Sequence, residues 1–578
     1  MRTGFKRWAP RLGLALIPVV LAIGGELLAR RAAGSTPPVL MRVSPLFEKF
    51  MYDLNSDFFK TVGGKDGERF LVPNRSVDVQ RDTRFPLRKS PGTFRIFCVG
   101  ESTVGLGQFS RYLDAYLKVL RPDARFEVVN AGQGFINPPY VLKVFRETLK
   151  YEPDLIVVYM GHNYAHEISA MTPWQYRVQA VAGKSALVRW IAGALRPVGD
   201  PDRGAKETAE ARFAASLEEM ARLARSRGLP LIVCTPASNL LHPPPGAPRF
   251  GDHGPEFRLR YGEALTAYDR GDFDRADALF QRLSRTAPES ALFPFYLGVS
   301  AQRKGDFRRA RLYFEKARDL DDNDRAPTAL IRLIRDKSRT WGYRVADVER
   351  EFSGAAPHGI PGFDLFIDPC HPNPSVYQHV VRPILRTIET AGLAPGTWRW
   401  GDLARAEPRL IADAGGPRSV RGDAQMLFNS GLIGGLKVTF QSGVFSEECA
   451  RYFEEALRMD PALFPEMIER SRGKTVLRQV LSYTAIDEST IQNVWVYSMI
   501  HAAIALRRRN ERPEARRLLR SLLEQELPPS LRSQADVQLA VTADEMGDAA
   551  ERDERLAQAE RLGAAGDPFY LALKSRKR

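Results

Sequence analysis

Five residues at four points along the chain have the types that acyl chemistry needs. Ser102 lies in Gly100-Glu-Ser-Thr-Val-Gly105, directly after the apolar run from Phe94 to Gly100. Flanking glycines allow a tight turn, and N–H groups at a helix start favour developing negative charge, which suits a nucleophile whose product is an oxyanion. Asn130-Ala-Gly132 and Gly161-His-Asn163 each close a further apolar run. The Gly132 N–H and the Asn163 amide could both donate to such an oxyanion without carrying charge themselves. Asp368-Pro-Cys-His371 is the one place, among eight histidines, where Asp precedes His by three positions. That aspartate can fix the imidazole tautomer and leave the other ring nitrogen to take a proton from a serine. Taken singly, each has a structural reading: a capping serine, a turn glycine, an asparagine satisfying its own loop, an Asp closing a turn. Their order along the chain favours the chemical one.

The elements that must position these residues are strands alternating with helices. Apolar runs at Phe94 to Gly100, Phe126 to Asn130, Asp154 to Met160, Leu229 to Thr235 and Tyr343 to Val348 read as strands. Helical patterns such as Phe109 to Leu120 and Glu207 to Arg227 separate them. This alternation predicts an α/β domain with a five-stranded parallel sheet covered on both faces, and ligands on such sheets bind beyond the carboxyl ends of the strands. Most of the polar residues above fall at those ends.

With Ser, Gly, Asn and a late Asp-x-x-His in succession over roughly residues 94 to 391, the chain resembles the SGNH or GDSL-like hydrolases. The resemblance implies a flavodoxin-like sheet, with Ser102 as nucleophile and oxyanion donor, Gly132 and Asn163 as the other donors, His371 as base and Asp368 as its partner. No cofactor and no metal are expected. Glu101 stands where the family has Asp, and Tyr164 follows Asn163 where Asp is common; both bear on substrate choice more than on the triad. Gly-Glu-Ser-Thr, Tyr-Met-Gly-His-Asn, and Pro-Ala-Ser-Asn-Leu at 236 to 240, seen beside the repeats below, are similar to a bacterial subgroup joining this domain to tetratricopeptide repeats.

Gly271-Asp-Phe273 recurs as Gly305-Asp-Phe307, a period of 34, with Ala276 matching Ala310 and Phe280 matching Phe314. Gly298, Ala301 and Ala317 fall where two antiparallel helices must approach closely. This resembles the tetratricopeptide repeat, and two units are fewer than the three needed to bury a continuous core, so they must lean on the α/β domain or on later helices. From Asp423 onward the sequence is helical nearly throughout and repeats the pattern loosely, as a diverged all-α array that offers surface for a protein partner. The organisation expected is an N-terminus and membrane anchor over 1–35 and a juxtamembrane segment over 36–93. A hydrolase domain split as 94–255 and 326–395 surrounds a repeat insertion at 256–325. A linker at 396–422 leads to the helical array at 423–578.

Composition fits this plan. A chain of 578 residues exceeds one compact core, and 44% hydrophobic with 26% charged residues is ordinary globular usage, which excludes a collagen-like, disordered or polytopic membrane chain. The net charge is +15, but residues 1–35 hold six Arg or Lys against one Glu, so +5 of it belongs to the terminus and no nucleic-acid reader is implied. The 18 residues from Leu12 to Ala29 are apolar except for Glu26, with Arg2, Lys6, Arg7 and Arg11 ahead and Arg30 and Arg31 behind. That pattern predicts an uncleaved single-pass anchor in a bacterial inner membrane, with the bulk of the chain in the periplasm. Four cysteines, at 98, 234, 370 and 449, show no zinc or disulfide spacing. His162, His166 and Glu167 lack completing ligands for a metal. The apolar, basic stretch from Met171 to Leu195 reads equally as a lid and as a packing helix.

The expected activity is hydrolysis of an acyl ester, an acetyl ester among the candidates, by a Ser-His-Asp triad. One alternative is an O-acyltransferase acting on a cell-envelope glycan; another is a non-catalytic repeat scaffold.

Overall fold

The structure, a computed structural model, describes residues 53–64, 67–75, 83–105, 109–166, 202–244, 253–321, 324–394, 396–415, 419–439, 445–481 and 488–576. The expected anchor at 12–29 and the stretch at 171–195 lie outside the described residues. Among the described residues no helix is long and apolar enough to cross a membrane.

The chain is mixed α/β, with one five-stranded parallel sheet and many helices. Three short strands come first, β1 (Phe59–Gly63), β2 (Arg69–Pro73) and β3 (Phe85–Pro86), as an antiparallel sheet of their own. The main sheet follows as β4 (Thr93–Gly100), β5 (Arg125–Gly132), β6 (Leu155–Tyr159), β7 (Leu231–Cys234) and β8 (Arg344–Ala346), in the order β5-β4-β6-β7-β8 with every pair parallel. The order reverses at β4, so a crevice opens beyond its carboxyl end, between the loops that leave β4 and β6. The parallel register levels that edge: Gly100 pairs with both Gly132 and Tyr159.

Each β4 side chain chooses a face by strand alternation. Phe97 and Val99 enter one core with α3 (Pro138–Thr148), α4 (Asp202–Arg225) and α9 (Thr328–Trp341); Ile96 and Cys98 enter the other with α2 (Phe109–Leu120) and α11 (Gln378–Thr390). All four side chains are fully buried. Full burial of a Val or Phe stabilises by about 1.5–3 kcal/mol, so Phe97→Ala, which also leaves a cavity, should cost about 3–5 kcal/mol. Cys98 and Cys234 are buried free thiols, as core residues.

Two expectations change. The supposed juxtamembrane segment contributes the antiparallel sheet, which docks on the first core through Phe59, Leu71 and Phe85, with edge-on rings between Phe59 and Phe85 (5.1 Å) and between Phe85 and Phe97 (5.5 Å). The Glu147 carboxylate accepts the Phe58 and Phe59 N–H groups at 2.6 and 2.8 Å, so the docking is hydrogen-bonded as well as apolar. The supposed linker at 396–422 carries α12 (Trp400–Gly415), whose Leu403, Leu410 and Ile411 pack on the second core. Its Glu407 accepts the Tyr116 hydroxyl at 2.9 Å.

The inserted helices are α5 (Pro255–Asp269), α6 (Phe273–Thr286), α7 (Leu292–Arg303) and α8 (Phe307–Leu320). Asp272 and Asp306 each cap the helix that follows, accepting from Arg275 N and Arg309 N. Ala276, Phe280, Ala310 and Phe314 are buried, and a Cβ on Gly298 would sit 2.7 Å from the Phe314 ring, the close approach that the small residue predicted. The pair leans on later helices: its core is shared with α19 (Pro529–Glu545), α20 (Ala549–Arg561) and α21 (Pro568–Ser575). Buried charges join the same bodies, since Arg508 pairs with both Asp269 and Glu447 at 2.8 Å and Tyr296 donates to Glu447 at 2.8 Å.

Candidate active site

At the carboxyl edge of β4 the chain turns through Glu101 into a single helical turn, α1 (Ser102–Gly105). The Glu101 carbonyl accepts Val104 N and Gly105 N, at 3.1 and 2.9 Å, so Ser102 is the first residue of the turn and not its cap. Its hydroxyl points away from the turn, to His371 Nε2 at 2.7 Å. Gly105 and Gly132 let the turn lie directly on the end of β5: a Cβ on Gly132 would meet Gly105 N at 2.5 Å.

His371 comes from the loop that leads into α11, folded back on itself by a bridge between Phe366 and Pro372. Asp368 does two things in it. One carboxylate oxygen accepts Cys370 N (2.9 Å) and His371 N (2.7 Å), closing the turn; the other meets His371 Nδ1 at 2.6 Å. The turn-forming and imidazole-orienting readings of Asp368 therefore both hold, on different oxygens. The Asn239 side chain secures the loop from outside by donating to the Asp368 carbonyl at 3.2 Å, while Asn239 N donates to Pro369 O at 2.9 Å. The Pro-Ala-Ser-Asn-Leu segment at 236 to 240 is thus the support of the histidine loop.

Electrostatics follow from these contacts. Burial works against a charged Asp368, but His371 and the two N–H donors prevail and hold the carboxyl at about 2. For His371, burial opposes the charge, while the Cys370 sulfur and the Asp368 carboxylate favour it, and the imidazole ends well above its ordinary value. Cys370 is itself pushed up to about 11 by burial, so near neutrality it is a thiol and Asp368 is the charge that His371 feels. Asp368, Cys370 and His371 offer ligand atoms within 4.8 Å of one another, but the imidazole and carboxylate atoms concerned are already joined to each other and to Ser102.

The two expected oxyanion donors sit at the same edge with different outcomes. Gly132 N–H is taken up by Asn130 Oδ1 at 2.9 Å, and Asn130 Nδ2 donates to Val104 O at 2.9 Å, so this asparagine ties α1 to β5 and spends the Gly132 donor. Asn163 is buried and donates from Nδ2 to Ile136 O at 3.1 Å. An amide NH2 has two hydrogens, so one remains for a ligand. The Ser102 N–H likewise has no hydrogen-bond partner among the described residues.

Glu101, noted in the sequence only as a departure, is the keystone between the two loops. Fully buried, it accepts Gly161 N at 3.1 Å on one oxygen and His162 N and Asn163 N at 2.9 and 3.2 Å on the other. Burial raises it to about 7, against the pull of those N–H groups and of His166. His166 in turn meets Asp324 at 3.0 Å, on the segment leaving the inserted helices, and Arg325 there donates to Asn239 O and His242 O at 3.1 and 2.8 Å. The helical insertion is therefore fastened to both the asparagine loop and the support of the histidine loop. Tyr164, the second departure, is buried in the first core.

No protein-family model and no curated protein matches the chain.

Proposed function

We propose that the chain is a serine esterase of the SGNH or GDSL-like type, held by its N-terminus in a bacterial inner membrane with its bulk in the periplasm. The observation that carries this reading is the unbroken hydrogen-bond chain Ser102 to His371 to Asp368, at 2.7 and 2.6 Å. In it, His371 Nε2 takes the Ser102 proton as Oγ attacks the ester carbonyl, and the anionic tetrahedral intermediate is met by the Ser102 N–H and the Asn163 amide. His371, now a cation beside Asp368, returns the proton to the departing alcohol. Water then enters, gives its proton to the same nitrogen as it attacks the acyl carbonyl, and the nitrogen passes that proton to Ser102 Oγ as the bond to the acyl group breaks and the acid leaves. No metal or redox group takes part in these steps. The helical hairpins at a period of 34, read as tetratricopeptide-like repeats, would present a surface to a protein partner.

The near-burial of Ser102, 8% exposed, favours one second reading, transfer of the acyl group to a glycan hydroxyl in place of water. The test is acetate release from p-nitrophenyl acetate by the full chain in detergent, with and without an oligosaccharide acceptor. Hydrolysis that disappears in Ser102→Ala supports the esterase; acetylated acceptor in place of free acetate supports the transferase. A Ser102→Ala protein as active as wild type would end both.

A further inference from the structure

His162 stands between Gly161 and Asn163, with its backbone fixed on Glu101 at 2.9 Å, and its imidazole is only 2% exposed. Neither ring nitrogen has a hydrogen-bond partner among the described residues. The ring and that of Tyr159 form a T-shaped pair at 5.9 Å between centroids, and the Tyr159 hydroxyl accepts Ala237 N at 3.1 Å. The next residue, Ser238, also has a buried hydroxyl without a partner among the described residues, and Asn239 after it supports the Asp368 loop. These unspent polar atoms thus lie on the two loops that bracket the triad, and the imidazole is within electrostatic reach of His371 and Asp368. Buried polar groups are normally paired, and leaving one unmet is costly. The position of these exceptions, on the loop that carries Asn163 and the loop that supports Asp368, indicates that a ligand meets them.

The chemistry of that ligand follows from the imidazole. Burial and then the positive charge of His371 push His162 down to about 3, so it stays neutral, offering one N–H donor and one nitrogen acceptor. A phosphate or carboxylate would find no charge on this ring to pair with, and an ammonium would find only half of what the ring offers. A hydroxyl group both donates and accepts, as does the Ser238 side chain. We propose that His162 contacts substrate by hydrogen-bonding a hydroxyl beside the scissile ester, so that the alcohol half of the substrate is a polyol or sugar. This rests on the esterase reading of the site.

The test pairs two acetate esters of similar size, 1-O-acetylglycerol, which has hydroxyls beside the ester, and propyl acetate, which has none. Acetate release is measured for wild type, His162→Phe, which keeps ring bulk without nitrogens, and His162→Gln, which keeps a donor and an acceptor. The expected result is that the ratio of kcat/KM for acetylglycerol over propyl acetate falls at least about tenfold in His162→Phe and recovers at least about threefold from that value in His162→Gln. An unchanged ratio in His162→Phe overturns the proposal. A second readout needs neither turnover nor a folded Phe variant: in Ser102→Ala protein carrying ¹⁵N-histidine, acetylglycerol should shift the His162 ring nitrogens, and propyl acetate should not. Ring resonances that stay fixed up to the solubility limit of acetylglycerol would mark His162 as a structural residue. Wild-type protein that cleaves neither ester would sink the esterase reading, while the nitrogen shifts would still decide the role of His162.

Discussion

Glu101→Gln is the most informative single substitution, because its effect should change with pH. The wild-type carboxyl is raised by burial from an ordinary 4.5 to about 7. A carboxyl raised in the folded state contributes stability that is complete below its unfolded value and is lost as pH rises through the folded one. At about 1.4 kcal/mol per pH unit, the wild-type loop gives up ~3 kcal/mol between about pH 4.5 and pH 8. Glutamine has no such loss. It can place its amide oxygen where Glu101 accepts His162 N and Asn163 N, but its NH2 then faces Gly161 N, donor to donor. A buried donor left unmet costs about 1–3 kcal/mol, so Gln should loosen the loop at pH 5 and be close to neutral at pH 8. Hydrogen exchange of the Gly161, His162 and Asn163 amides, compared with wild type at each pH so that intrinsic rates cancel, reads this directly. Exchange in the variant should be faster by about 10- to 100-fold at pH 5 and nearly equal to wild type at pH 8. The same ratio at both values would mean that Glu101 is ionised throughout, and the reasoning from burial would be refuted.

Other outcomes follow from the same geometry. Asp368→Asn keeps an oxygen for Cys370 N and His371 N but turns an NH2 toward His371 Nδ1, so the proton moves to Nε2 and Ser102 loses its base; ester hydrolysis should fall by about 10⁴-fold with little change in unfolding temperature. Because His371 is raised above its ordinary 6.5 and must be neutral to act, kcat/KM should rise with pH and reach half its plateau above 6.5, activity being lost as pH falls through that value; a rate–pH titration checks it. In the helical body, Gly298→Ala puts a Cβ 2.7 Å from the Phe314 ring and should destabilise that hairpin by about 1–3 kcal/mol, seen as faster exchange in residues 292–320.

What the sequence made legible was whatever depends on local pattern. The five strands of the main sheet are short apolar runs because helices cover both faces, and α2 spans Phe109–Leu120 as its period predicts. The levelling of Ser102, Gly132 and Asn163 follows from strand ends in a parallel sheet. The small antiparallel sheet was hidden because β1 has only one buried position and its partners, Phe85, Phe97 and Glu147, lie 26 to 88 positions away. Helix α12 was hidden by Pro408 within it and by Arg399 and Trp400 at its start, which read as a linker until Arg399 N is seen on Leu120 O at 3.0 Å. The use of the Gly132 N–H by Asn130, and the clamp that Glu101 forms on Gly161, His162 and Asn163, depend on where two polar side chains turn inside the fold. Residue spacing does not encode that. A carboxylate next to a serine in an otherwise apolar turn was the only available signal for Glu101.

The central claim is that Ser102 is a nucleophile activated by His371. A fluorophosphonate probe applied to the full chain, followed by peptide mapping, tests it without knowledge of the substrate. The account predicts one adduct on Ser102, formed far more slowly in His371→Ala and absent in Ser102→Ala. Folded wild-type protein that takes no label, or that labels equally fast without His371, would contradict it.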